Sequence, residues 1–243
     1  MTVNHTFQTQ FAVPLSCEGC VKSVSDALHK LGGITRVEGN VKEQLVTIEG
    51  SAAPSAIVEA IQETGRDAIL RGTGASNSAA VSILETFVDK HQTQHEGTDR
   101  EVRGLARMVE VGSGRTLVDL TVRGVSPGHY RATIREYGNL AEGAASTGPV
   151  WKDKGELGVV EVDKSGRGSA FVDHGFQIWE AIGHAMVLTR QEESDKGLQN
   201  DEDTVVGVIA RSAGVWDNDK TVCSCTGKTL WDERKEEVAK GML

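Results

Sequence analysis

The sequence predicts an α+β domain, then an all-β domain, then a short charged tail. Three observations carry this. Over residues 1–72 the apolar spacing switches between two and about 3.6. A small polar linker, "GTGASNSAA", contains residues 73–78, and from residue 79 to 215 the apolar runs become short and β-like. Residues 216–243 are charged and hold few large apolar anchors.

In the first segment, "TFQTQFAVP" places Phe7, Phe11 and Val13 at even spacing and reads as a strand. Val21, Val24, Ala27, Leu28 and Leu31 follow helical spacing up to Gly32 and Gly33. "ITRVEG" and "QLVTIEG" read as two short strands. Pro54 opens a helix through Ile57, Val58 and Ile61 that stops at Gly65, and "DAILRG" closes the unit. The order is βαββαβ, the ferredoxin-like split unit. Eight β-rich runs follow, from "AAVSILETF" to "VVGVIARS", several of them separated by Gly-containing turns such as "GSGR" and "DKSG". In "TLVDLTVRG", Val118, Leu120 and Val122 alternate with Asp119, Thr121 and Arg123, the pattern of a half-buried strand. Eight such strands predict a sandwich or flattened barrel. In the tail a short helix is predicted from about Thr229 to Lys240, too poor in apolar residues to build its own core.

Bulk properties narrow the function. The 243 residues are 38% hydrophobic, enough for a buried core. A net charge of −9 argues against the basic surface that nucleic acid or an anionic membrane requires. No apolar run approaches the roughly 20 residues needed to span a bilayer. The start, "MTVNHTFQTQFAVP", lacks the basic and apolar blocks of a secretory signal, so the expected location is the cytoplasm. In that reducing setting, close cysteine pairs read as metal or redox chemistry.

All four cysteines fall into two close pairs. Cys17 lies in the loop after the first strand, and Cys20 begins the first helix, where unpaired N–H groups and the helix dipole favour thiolate. Two thiolates with two residues between them converge on one soft ion. Cu(I) is satisfied by two sulfurs, whereas Zn(II) usually takes four ligands, so the isolated pair favours Cu(I). A thioredoxin-like redox pair and one half of a four-thiolate zinc site are the alternatives. Cys223 and Cys225 flank Ser224; in extended backbone their side chains share a face. A disulfide across one residue would be strained, hence oxidising and labile. Such a pair can bind Cu(I), donate it, or attack and resolve a mixed disulfide; two ordinary tail thiols are the alternative. His91 and His95 form an H-x3-H pair in a polar stretch and read as a solvated loop.

"LSCEGCVKSVSDAL" within a βαββαβ unit resembles the heavy-metal-associated domain of cytosolic copper chaperones. That family usually has Met where this chain has Leu15, a position expected to pack below the loop. Arg66 matches the family's Lys and could offset the charge of a two-thiolate Cu(I) complex. Residues 79–215, with "GHYRATIREYGNLAEGAASTGPVW" and "IWEAIGHAMVLTR", resemble copper,zinc superoxide dismutase, which implies a Greek-key barrel or sandwich. The resemblance places Thr133, Arg135, Val150 and Thr189 where the enzyme has its copper histidines, with Val150 also at the bridging position. It places Asp153 and Glu156 in the shortened zinc region, Ala144 and Val206 at the internal disulfide, and Asp203 at the arginine that guides superoxide. This argues against dismutase activity. "GVIARSAGVW" matches a strand and loop at the two-fold interface, implying pairing with a dismutase subunit or with a second copy.

The order of CxxC domain, dismutase-like domain and CxC tail, with "TGKTLWDERK" after the second pair, resembles the fungal-type copper chaperones for superoxide dismutase. The resemblance implies that Cys17 and Cys20 acquire Cu(I). It implies that the middle domain forms a heterodimer with immature copper,zinc superoxide dismutase. It also implies that Cys223 and Cys225 mediate copper insertion and oxidase-like formation of the target's disulfide. A cytosolic thiolate buffer without a protein target is the alternative. An active dismutase and a structural zinc protein using all four thiolates are further rivals.

Overall fold

β1 (Phe7–Ala12) opens a four-stranded antiparallel sheet of order β2-β3-β1-β4. The structure, a computed structural model, describes residues 5–88, 101–112, 114–192, 197–215, 217 and 228–239. Helix α1 (Glu18–Leu31) follows β1; β2 (Ile34–Asn40) and β3 (Leu45–Gly50) form a hairpin; α2 (Pro54–Glu63) leads to β4 (Ile69–Thr73). This is the βαββαβ order read from the periodicity. Val24 and Leu28 of α1, Ile57 and Ile61 of α2, and Phe11 and Ile48 of the sheet make one core, each at most 2% exposed. Each such side chain contributes about 1.5–3 kcal/mol by leaving water. Leu31, expected on the buried stripe, is instead 40% exposed, because it is the last residue of the helix. Gly39 lets α1 approach β2: a Cβ there would overlap the Val21 side chain.

The second unit is an eight-stranded antiparallel barrel. In chain order its strands are β5 (Ala79–Thr86), β6 (Val102–Glu110), β7 (Thr116–Arg123), β8 (Gly128–Arg135), β9 (Glu156–Val162), β10 (Arg167–His174), β11 (Ala185–Thr189) and β12 (Val205–Val208). Neighbours run β5-β6-β7-β10-β9-β8-β11-β12, and β12 pairs back onto β5 through Val205↔Thr86 and Val206↔Glu85. That last pairing closes the sheet and removes its free edges. A four-residue helix, α3 (Ile178–Ala181), precedes β11. The run "VVGVIARS" breaks at Ile209 into β12 and β13 (Ala210–Ser212), the latter beside β5. Leu84, Met108, Leu120, Tyr130, Ile134 and Leu188 fill the barrel.

The alternation in β7 departs from expectation at one residue. Asp119 is 2% exposed, because Arg107 stands directly opposite on β6 and donates to its carboxylate at 3.4 Å. A buried carboxylate is tolerable when such a partner neutralises it.

The chain divides into two compact units, Ala79–Arg211 and Thr2–Ser78 with Ser212–Leu243. The described tail helix thus falls in the same unit as the first domain. Thr73 N–H donates to the Ala213 carbonyl (3.2 Å), and Val215 N–H to the Gly74 carbonyl (2.8 Å). The predicted tail helix is α4 (Leu230–Ala239), whose Arg234 is buried and lies 3.5 Å from Asp67. His91, His95, Cys223 and Cys225 lie outside the described residues. No helix among the described residues is long and apolar enough to cross a membrane.

Candidate functional site

Helix α1 starts at Glu18, one residue after Cys17, which is its N-cap in extended geometry (φ −161°, ψ 171°). Cys20 therefore sits in the first turn, its N–H donating to the Cys17 carbonyl at 2.9 Å. The two residues between the cysteines bend the chain through the helix entry and turn both sulfurs to one side, 3.7 Å apart. A single ion about 2.3 Å from each thiolate spans that gap. Cys17 is exposed; Cys20 is half-buried and packs its inner side against the domain core. Leu15, 2% exposed, lies in that core as the family comparison implied.

The electrostatics favour a thiolate at Cys20. Its thiol is pulled from the ordinary 9.0 down to about 6, chiefly by the Ser16 hydroxyl, then by the Ser16 main chain, the Arg66 guanidinium and the Cys17 main chain. The Ser16 Oγ lies 3.2 Å from the Cys20 sulfur. Arg66 is aimed by its own contacts, donating to the Thr64 carbonyl (3.1 Å) and hydroxyl (3.0 Å) just past α2. The sequence singled out Arg66 but missed Ser16 and Thr64. Ser16 was available as a hydroxyl four positions before Cys20 and next to Cys17; Thr64 had no local signal.

The barrel positions matched to dismutase ligands hold no metal chemistry. Thr133 and Arg135 on β8 and Thr189 on β11 are all buried, and Arg135 forms a bridge to Val150. Thr189 shares a hydrogen bond with the Thr204 hydroxyl (2.7 Å), so its oxygen is already used. Arg135 turns its guanidinium onto the Gly148 carbonyl. Asp153 is exposed, and Glu156 pairs with Arg131. Ala144 and Val206 meet in a small apolar cluster with Leu198 and Val187, taking the place of a covalent link. Asp203 accepts from the Ser126 N–H (2.8 Å) and lies 3.4 Å from Arg190. Among the described residues no three His, Cys, Asp or Glu side chains gather as a metal site.

The sequence profile of the heavy-metal-associated domain matches residues 10–67. A Superoxide dismutase 1 copper chaperone of Debaryomyces hansenii is 45% identical over 259 residues, covering 98% of each chain. Its namesake in Saccharomyces cerevisiae is 40% identical over 251 residues and the full length of both. A Copper chaperone for superoxide dismutase of Homo sapiens is 31% identical over 260 residues, 95% of this chain and 90% of that one.

Proposed function

From the premise that this chain belongs to the superoxide dismutase 1 copper chaperone family, we propose that it carries Cu(I) on Cys17 and Cys20 and delivers it to immature copper,zinc superoxide dismutase. The observation that carries this reading is the sulfur pair itself: two thiols 3.7 Å apart at a helix entry, with Ser16 and Arg66 lowering the Cys20 pKa. Copper is here cargo. An exposed Cys17 leaves the ion open to attack by another protein's thiolate, so it can leave by ligand exchange without unfolding the loop.

Residues 79–215 act as the target-recognition domain and pair with a dismutase subunit in a heterodimer. Two features support this. The interior keeps the barrel without metal ligands, so the domain's value lies in its surface. Tyr137 is 56% exposed, and Gly138 beside it packs on Gly183 and Val208, which joins the tyrosine to the start of "GVIARSAGVW". An exposed aromatic on a firm backbone is the kind of anchor that interfaces use.

Cys223 and Cys225 perform the last step. A target thiolate attacks the Cys223–Cys225 disulfide, forming a mixed disulfide and releasing one tail thiolate. The target's second thiolate then displaces the tail. The target leaves oxidised, the tail keeps the two electrons and two protons as a dithiol, and dioxygen takes both pairs, restoring the disulfide and leaving as hydrogen peroxide.

The test mixes Cu(I)-loaded protein with reduced, zinc-containing, copper-free dismutase in air, with a copper chelator present. Dismutase activity that appears despite the chelator is the expected result. No activity from protein that still holds Cu(I) would replace this reading with a thiolate metal buffer that has no protein target.

A further inference from the structure

The buried guanidinium of Arg135 stands at the end of β8, with 1% of its surface exposed. Three main-chain bonds sew this strand end to the loop that follows it. Glu136 N–H donates to the Pro149 carbonyl (2.9 Å), Tyr137 N–H to the Thr147 carbonyl (3.0 Å), and Trp151 N–H to the Ile134 carbonyl (2.9 Å). The Arg135 side chain adds a fourth tie. Its Nε donates to the Gly148 carbonyl at 3.0 Å, and a terminal nitrogen donates to the same oxygen. Gly148 has φ +74°, a left-handed backbone open to glycine, and a Cβ there would overlap the ring of Tyr137. So one residue receives the guanidinium on its carbonyl and supports the exposed aromatic with its α-carbon.

We propose that Arg135 is a positioning residue for partner docking: it pins Gly148 and thereby sets the pose of Tyr137 on the target-recognition surface. The inference rests on the heterodimer reading above. A buried cation that donates to a carbonyl is expensive to replace, because its loss leaves that oxygen unsatisfied. The cost falls on the loop through the shared Gly148, and the core strands on the far side of the barrel do not depend on it. The barrel thus carries its own fixed cation where the related enzyme's resemblance calls for a histidine, and uses it to shape a surface.

Two readouts on the full chain test this, with Arg135→Met and Arg135→Lys beside Tyr137→Asp. Hydrogen exchange is followed at the Glu136 and Tyr137 amides, with β7 amides as internal reference. Affinity is measured for reduced, zinc-containing, copper-free dismutase. Arg135→Met is expected to speed exchange at those two amides by about tenfold or more and to weaken binding by about tenfold. Arg135→Lys, which keeps a cationic donor, is expected to recover part of both. Tyr137→Asp is expected to weaken binding while leaving exchange in β7 unchanged. Unchanged exchange in Arg135→Met overturns the proposal, as does faster exchange with unchanged affinity when Tyr137→Asp binds poorly. If Tyr137→Asp binds normally, the docking surface itself is wrong, and the inference falls with it. Should Arg135→Met fail to fold, Arg135→Lys decides: faster exchange at the two amides with a matching loss of affinity supports the tie, and wild-type exchange, or faster exchange without loss of affinity, refutes it.

Discussion

The loop at Cys17 and Cys20 and the interior ends of β8 and β11 offer opposite things to a metal. The loop gathers two soft ligands at a surface, one of them exposed, with Ser16 and Arg66 favouring the anion. The barrel interior fills the matched positions with two threonines, an arginine and a valine; of these, Thr189 bonds to Thr204 and Arg135 to the Gly148 carbonyl. On the function proposed above, the difference is that between carriage and recognition. A carrier needs ligands that another protein can reach and replace. A recognition domain needs a stable scaffold, and a hydroxyl pair or an arginine–carbonyl tie holds one without depending on metal supply.

The largest expected effect breaks the loop's side of this contrast. Replacing Cys17 and Cys20 together with Ser should weaken Cu(I) binding by that domain more than about a hundredfold, since loss of contacts merely supporting a metal ligand already costs about 10–100-fold. Titration against a competing Cu(I) chelator measures it; near-native affinity would place the metal elsewhere. For the tail, replacing Cys223 and Cys225 with Ser should leave dismutase binding intact and abolish target maturation, which an activity assay reads directly.

The barrel's side is sharpened by Leu84→Ala, which opens a cavity in a residue with 0% exposure. Denaturant unfolding should show a loss of about 2–5 kcal/mol. The pH titration of Cys20 in the same protein should not move. A coupled change would show that the two units are less independent than their separate cores imply.

Smaller effects belong to the shell around Cys20. Ser16→Ala should raise its titration midpoint from about 6 toward the ordinary thiol value, read as the pH dependence of alkylation at that residue. Arg66→Met should shift it the same way by less, because the serine hydroxyl outweighs the guanidinium. The sign for the wild type follows. A thiol lowered by folding contributes stability that is complete above its ordinary 9.0 and is lost as pH falls through about 6. Cu(I) affinity should fall only as pH drops below about 6, where a proton competes for the Cys20 sulfur. The smallest effect is expected at the exposed Arg36–Glu38 pair, where Glu38→Ala should change stability by no more than about 0.5 kcal/mol.

Local spacing made the elements legible. The period-2 and period-3.6 runs marked the strands and helices of the first domain, and the two-residue gap between Cys17 and Cys20 foretold two sulfurs on one side because a helix entry turns such a pair together. What periodicity could not supply were contacts made across the fold. Asp119 alternates like a solvent residue, yet cross-strand register sets it against Arg107 and buries it. Leu31 fits the apolar stripe of α1 but ends the helix and stays in water. Ser16 and Thr64 read as ordinary loop residues until the fold sets one beside Cys20 and the other beneath Arg66. The sequence by itself therefore determined which segments are strand or helix and where the thiols stand, because backbone propensity and side-chain period act over a few residues. Only the tertiary structure decided the closure of β12 onto β5, the Arg135–Gly148 tie and the anchoring of α4 through Arg234 to Asp67, because register and barrel closure choose among many partners of equal local fitness.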